Sequence, residues 1–150
     1  MALTGKLVTQ TEIKSDGDLF HDMFRKPHRI SNICPDKVKA VDLHEGDWGT
    51  VGSVISWKYV HDGKEKTTKE IIEAVDDEKK SVTFKVIEGD LTEMYKSFIF
   101  IVHVDAKGES NLVTWTLEYE KLNEDVPDPA TMMNTLVIMT KDIETYHLQK

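Results

Sequence analysis

The chain has 150 residues, of which 39% are hydrophobic and 31% charged. This is the composition of one globular domain, spanning 1–150 and large enough to enclose a core or a cavity. A formal net charge of −8 without a Lys/Arg cluster argues against nucleic acid or an anionic membrane as partner. The single cysteine, Cys34, excludes an internal disulfide. Together with the lack of an apolar leader or a membrane-length run, it predicts a cytoplasmic protein without membrane insertion.

The first quarter of the chain combines one strand with two short helices. Weak alternation predicts a strand over residues 3–13. Ser15 or Asp16 can cap a first short helix, which ends before Pro27. A second short helix is predicted over residues 28–34.

A glycine-rich segment, residues 45–52, follows the next strand. Loops that hold nucleotides usually lead from a strand into a helix, whereas residues 53–60 are rich in β-branched and aromatic types and predict another strand. The segment also lacks a Gly-Lys-Ser/Thr ending. We therefore interpret it as a turn that shapes the fold and forms the rim of a pocket.

From residue 37 onward the pattern is that of strands joined by short turns, which indicates an antiparallel meander. The last strand is the best patterned, because Val113, Trp115, Leu117 and Tyr119 alternate with polar residues. The six predicted strands in this part of the chain are 37–44, 50–60, 65–75, 81–88, 94–104 and 112–121.

A long helix is predicted at the end of the chain, with Asp128 as N-cap and Pro129 in the first helical position. It runs to about residue 147. Met132, Leu136 and Met139 belong to an apolar stripe that must pack against the sheet. Because methionine adapts to irregular shapes, Met132, Met133 and Met139 are either core filler or the lid of an adaptable pocket.

Few residues point to chemistry. The six histidines have no spacing typical of a metal site, so neither a metal nor a cofactor is expected. Period-two spacing from Phe98 and Phe100 places Lys96 on the inward face, where it is either a desolvated base or a side chain that reaches out to solvent. Tyr119 either orients a ligand through its hydroxyl or is satisfied within the core.

Three segments in order along the chain carry a resemblance to a known family: residues 43–53 (LHEGDWGTVGS), 85–91 (KVIEGDL) and 115–121 (WTLEYEK). With Asp128-Pro129 before the last helix, they resemble the major latex protein family, within the birch-pollen-allergen and pathogenesis-related class 10 (Bet v 1-like) superfamily of plants. The resemblance spans essentially the whole chain.

The resemblance implies an α+β helix-grip (START-like) fold, in which a seven-stranded antiparallel sheet wraps around the long C-terminal helix and two short helices support it. It also implies an apolar cavity between helix and sheet. Thr67 and Lys69 are weaker candidates for its wall, because their strand lacks a clear apolar face. By comparison with the family, the inward, ligand-binding positions are Phe24, Val82, Phe84, Val86, Phe98, Phe100, Val113, Trp115, Leu117, Tyr119, Met132, Thr135, Leu136 and Met139.

Two functional hypotheses follow. The first is binding of a small apolar or amphipathic plant metabolite (hormone, sterol, lipid, terpenoid or alkaloid), linked to defence or specialised metabolism, by a monomer or weak dimer. The second is a cofactor-independent cyclase or isomerase that steers a reactive monoterpenoid or alkaloid intermediate, with Lys96, Tyr119 and His28 as catalytic candidates. A third, a partner-protein contact through Trp48 at the loop tip, has only that residue and the acidic surface in its favour.

Overall fold

The structure is a computed structural model that describes residues 3–149. Within these residues, seven antiparallel strands form one sheet in the order β1-β7-β6-β5-β4-β3-β2. The strands are β1 (Thr4–Ile13), β2 (Val38–Glu45), β3 (Val54–His61), β4 (Lys64–Asp76), β5 (Ser81–Gly89), β6 (Tyr95–Lys107) and β7 (Ser110–Lys121). The helices are α1 (Gly17–Arg25), α2 (Ile30–Ile33) and α3 (Ala130–Leu148), with 3-10 turns at Pro27–Arg29 and Asp90–Glu93. The predicted helix-grip fold is confirmed.

Strands β2 to β7 follow one another as a meander, whereas β1 lies beside β7. Alternation along β7 explains which face is buried: Val113, Trp115, Leu117 and Tyr119 are buried, and the residues between them are partly exposed. The inward face of β7 therefore forms part of the core beneath α3.

Helix α1 is capped by Asp16, whose carboxylate accepts hydrogen bonds from the backbone N–H groups of Asp18 and Leu19 at 2.7 and 3.2 Å. Such a cap satisfies donors that the first turn leaves free. The helix buries Phe20 and Phe24, whereas Leu19 is exposed. Of the two predicted caps, Asp16 is the one that the structure uses.

The start of α3 differs from the prediction. The helix begins at Ala130 with Pro129 in the capping position and no side-chain cap. The Asp128 carboxylate instead accepts a hydrogen bond from the Tyr119 hydroxyl at 2.8 Å and pairs with Lys121 at 3.0 Å. Asp128 therefore anchors the segment before α3 to β7 and does not cap the helix.

The other half of α3 is attached to the end of β1. Glu144 is buried, and its carboxylate accepts a hydrogen bond from the Lys14 backbone N–H and pairs with Lys141 at 2.8 Å. Trp115 donates its indole N–H to the Thr140 hydroxyl at 2.9 Å, across the interface between β7 and α3. These contacts fix the height of the helix above the sheet.

Gly89 at the end of β5 has a backbone conformation that favours glycine, with φ of 120° and ψ of −164°. A Cβ there would overlap the Thr67 carbonyl oxygen of the neighbouring strand. We expect Gly89→Ala to lower the free energy of unfolding by about 1–3 kcal/mol or more, measured by urea denaturation. Gly108→Ala is the control, because φ is 65° there and nothing lies within 4 Å of the added Cβ. An equal loss at both positions would contradict the overlap.

Candidate ligand-binding cavity

Helix α3 does not close completely onto the sheet. Between them lies an inner cavity of about 60 Å³, counted as the volume in which the centre of a water molecule can be placed. One water needs roughly 10–15 Å³ on this measure, so the inner cavity has room for more than a single water. Its lining residues are Phe24, Lys37, Val38, Trp57, Tyr59, Thr68, Glu70, Phe84, Phe100, Trp115, Met132, Thr135, Leu136 and Met139.

A second space, the outer cavity, adjoins the first and has about 200 Å³ on the same measure. Tyr59 and Met132 belong to both linings and so form the shared wall. The outer cavity is more polar, and several of its lining residues are exposed. Its lining residues are Tyr59, His61, Asp62, Lys66, Asp90, Leu91, Met94, Tyr95, Pro127, Asp128, Pro129, Thr131 and Met132.

The wall of the inner cavity is apolar except for a few side chains, of which Glu70 is the most perturbed. Burial raises the pKa of the Glu70 carboxyl from 4.5 to about 8, because an ionised carboxylate loses its hydration there. The Trp57 indole N–H lies near enough to lower that pKa somewhat, although its geometry falls outside that of a hydrogen bond. At neutral pH most Glu70 side chains therefore carry a proton.

The structure divides the fourteen predicted ligand-binding residues into two groups. Eight line the inner cavity: Phe24, Phe84, Phe100, Trp115, Met132, Thr135, Leu136 and Met139. Six are buried in the core without lining it: Val82, Val86, Phe98, Val113, Leu117 and Tyr119. Alternation identifies the inward face of a strand but not which part of that face borders a cavity.

Lys96 does not point inward as predicted. Its side chain is 71% exposed and pairs with Glu120 at 3.7 Å. The register between β6 and β7 shifts between Tyr95 and Ser97, so Lys96 is the extra residue of a bulge and Tyr95 takes the inward position. The period-two argument fails at that bulge.

The other two catalytic candidates also lie away from the inner cavity. Tyr119 donates its hydroxyl to Asp128, and burial together with this bond raises its pKa to about 12. His28 is exposed, and its ring lies 4.3 Å from the Trp48 ring. Trp48 is accordingly half-buried and not a free loop tip. The structure does not bring Lys96, Tyr119 and His28 together.

The glycine-rich segment, predicted as a pocket rim, lines neither cavity. Ser53, the residue after the segment, donates its hydroxyl to the Asp47 carbonyl at 2.7 Å and accepts the Asp47 N–H at 3.0 Å. Gly49 lies against Arg25 at the end of α1. The segment therefore contacts the end of α1 and borders neither the inner nor the outer cavity.

Sequence reasoning missed the polar part of the cavity wall on β4. Thr67 is exposed and Lys69 pairs with Glu88 at 3.9 Å, so the inward residues are Thr68 and Glu70. The signal that could have found them is Ile72, a buried apolar residue in phase with both. A strand with one apolar and two polar inward residues does not display a clear face.

Other chemistry has little support in the described part of the chain. Within residues 3–149 no three His, Cys, Asp or Glu side chains lie close enough together to hold a metal ion. Burial raises the pKa of the Cys34 thiol to about 12, so the thiol is not an activated nucleophile. None of the described helices has the length and apolarity needed to cross a membrane.

A sequence model of the pathogenesis-related protein Bet v 1 family matches residues 2–150. The chain belongs to this family. MLP-like protein 43 of Arabidopsis thaliana is 51% identical over 150 residues, which is 98% of this chain and 95% of that protein. The resemblance to major latex proteins is thereby confirmed. The chain spans about half the length of two other relatives, MLP-like proteins 28 and 34 of the same plant.

Two solved structures have the same fold. Ginseng major latex-like protein 151 from Panax ginseng has a TM-score of 0.96 and 56% identity, covering 98% of this chain and 99% of that one. Norcoclaurine synthase from Thalictrum flavum, in complex with dopamine and hydroxybenzaldehyde, has a TM-score of 0.80 and 19% identity, covering 97% and 87%. The second likeness concerns the fold alone.

Proposed function

We propose that this Bet v 1 family member binds small apolar or amphipathic plant metabolites in the inner cavity. The observation that carries the proposal is the space between α3 and the sheet, whose wall is mostly apolar and aromatic. The driving force is desolvation of the ligand, at roughly 25 cal/mol per Å² of apolar surface buried. In this proposal the protein acts in the cytosol, as a monomer or weak dimer, in defence or specialised metabolism.

The test is a thermal-shift screen with sterols, fatty acids, terpenoids and plant hormones, together with displacement of the fluorescent probe 1-anilinonaphthalene-8-sulfonate. A ligand at 100 times its Kd stabilises the folded protein by about 2.7 kcal/mol, which raises Tm measurably. Leu136→Trp fills the inner cavity and is expected to abolish the shift.

Ile138→Trp is the matched control, because Ile138 is an exposed residue of the same helix and lines neither cavity. It should bind as the wild type does. A panel that shifts no Tm, or a Leu136→Trp variant that binds like the wild type, would contradict binding in the inner cavity.

A second candidate function is a cyclase or isomerase that folds a reactive monoterpenoid or alkaloid intermediate. Glu70 favours it, as a protonated carboxyl on the cavity wall at neutral pH. The discriminating measurement is the diastereomer ratio of products formed with wild type, with Glu70→Gln and without protein. An unchanged diastereomer ratio would contradict the cyclase or isomerase function and leave ligand binding as the only proposed function.

A further inference from the structure

Three polar side chains stand together in the apolar wall of the inner cavity. Trp57 on β3 and Thr68 on β4 are directly paired in the sheet, and Glu70 follows two residues later on the same face. Trp57 is 9% exposed, and Thr68 and Glu70 are each 3% exposed. We call these three residues the polar cluster.

Two atoms of the polar cluster have no partner within the described structure. The Thr68 hydroxyl has no hydrogen-bond partner in range, and the Trp57 indole N–H lies near the Glu70 carboxyl without the geometry of a hydrogen bond. Buried polar groups in proteins rarely lack a hydrogen-bond partner, because such a group has lost its hydrogen bonds to water without replacing them. The other indole on the cavity wall behaves differently, since Trp115 donates to Thr140 at 2.9 Å. All three residues of the polar cluster nevertheless line the inner cavity.

The polar cluster is rich in donors. An indole N–H can only donate, a threonine hydroxyl can donate or accept, and the Glu70 carboxyl donates when it holds its proton. An oxygen that only accepts fits such a set better than an ammonium or a carboxylate, which would add a charge to a buried site.

We propose that Trp57, Thr68 and Glu70 form a recognition site for the carbonyl oxygen of an otherwise apolar ligand, a ketone or an aldehyde. The proposal rests on the proposed function, because it names the ligand class of the same cavity. The apolar wall holds the hydrocarbon body, and the polar cluster selects and orients the carbonyl. Discrimination arises because a ligand without that oxygen leaves the buried donors unpaired.

The experiment measures Kd for two matched pairs, cyclohexanone with cyclohexane and camphor with bornane. Both Kd values of a pair are corrected for the aqueous solubility of the two compounds. After this correction the carbonyl compound is expected to bind at least about tenfold more tightly than its hydrocarbon. Thr68→Val, which keeps the shape of the side chain, should weaken binding of the ketones about 5- to 10-fold and leave the hydrocarbons unchanged. Thr67→Val, at the exposed neighbouring position, should change neither.

A spectroscopic readout keeps the test independent of folding of the variants. The ¹³C resonance of a labelled ketone carbonyl should move downfield in the wild-type complex relative to an apolar solvent, because hydrogen bonding polarises the C=O bond. Ketones that bind without this shift, or as well to Thr68→Val as to the wild type, would overturn the carbonyl site while leaving cavity binding intact. Failure of all four compounds and of the wider panel would overturn the proposed function itself.

Discussion

Replacing Trp115 with alanine is expected to lower the free energy of unfolding by about 3–5 kcal/mol, as for other large aromatic side chains removed from a core. Trp115 is 2% exposed, and its ring meets the Phe24 ring edge-on at a centroid distance of 5.2 Å. The side chain also joins β7 to α3 through Thr140. Guanidinium unfolding followed by circular dichroism measures the loss.

Two further substitutions separate packing from hydrogen bonding at Trp115. Trp115→Phe keeps most of the packing, and the Thr140 hydroxyl still donates to the Leu136 carbonyl at 2.8 Å. The loss in free energy of unfolding should therefore be much smaller for Trp115→Phe than for Trp115→Ala. Thr140→Val leaves the buried indole N–H without its acceptor, which costs about 1–3 kcal/mol. A loss below about 1 kcal/mol for Trp115→Ala would mean that this side chain does not hold α3 against the sheet.

The second large effect is a dependence of stability on pH through Glu70. Its pKa is about 8 in the folded protein and 4.5 ordinarily. Between these values the unfolded chain releases the proton while the folded protein keeps it. The contribution of Glu70 to the free energy of unfolding is therefore fully present below pH 4.5 and is lost as pH rises through 8. The loss amounts to several kcal/mol, at about 1.4 kcal/mol per pKa unit.

The measurement is urea unfolding of wild type and Glu70→Gln between pH 5 and pH 9, compared as a difference so that other titrating groups cancel. Lys37 and Tyr59 are the other ionisable side chains on the inner cavity and remain in both proteins. Glu70→Gln should gain stability relative to wild type as pH rises. Glu73→Gln, at an exposed position on the same strand, should follow the wild type. Parallel curves for wild type and Glu70→Gln would show that the carboxyl is not desolvated.

Regular alternation made most of the sheet predictable. From Val113 to Glu120 on β7 each inward residue is apolar and each outward one is polar, so the buried face of that part of the strand follows from the sequence. The apolar stripe of α3 likewise identified Met132, Leu136 and Met139 as residues that face the sheet. Such patterns reflect burial of one face, which the chain must satisfy locally.

Two features could not be read from the regular alternation of the strands. The bulge at Lys96 is a property of the pairing between β6 and β7, and no residue type in β6 announces it. On β4, Thr68 and Glu70 are polar residues facing a cavity, which inverts the usual pattern of apolar residues inside. The pattern therefore fails at Lys96, outside the inner cavity, and at Thr68 and Glu70, where the cavity wall differs from an ordinary core.

The wall shared by the two cavities also bears on how fast a guest could exchange. Tyr59 and Met132 are side-chain barriers, so a molecule moving from one space to the other needs their χ angles to rotate and no β-ladder to open. Such rotations need no local unfolding of the sheet, a process that takes microseconds to seconds. Association and release through this wall can therefore equilibrate while the backbone of the sheet stays intact.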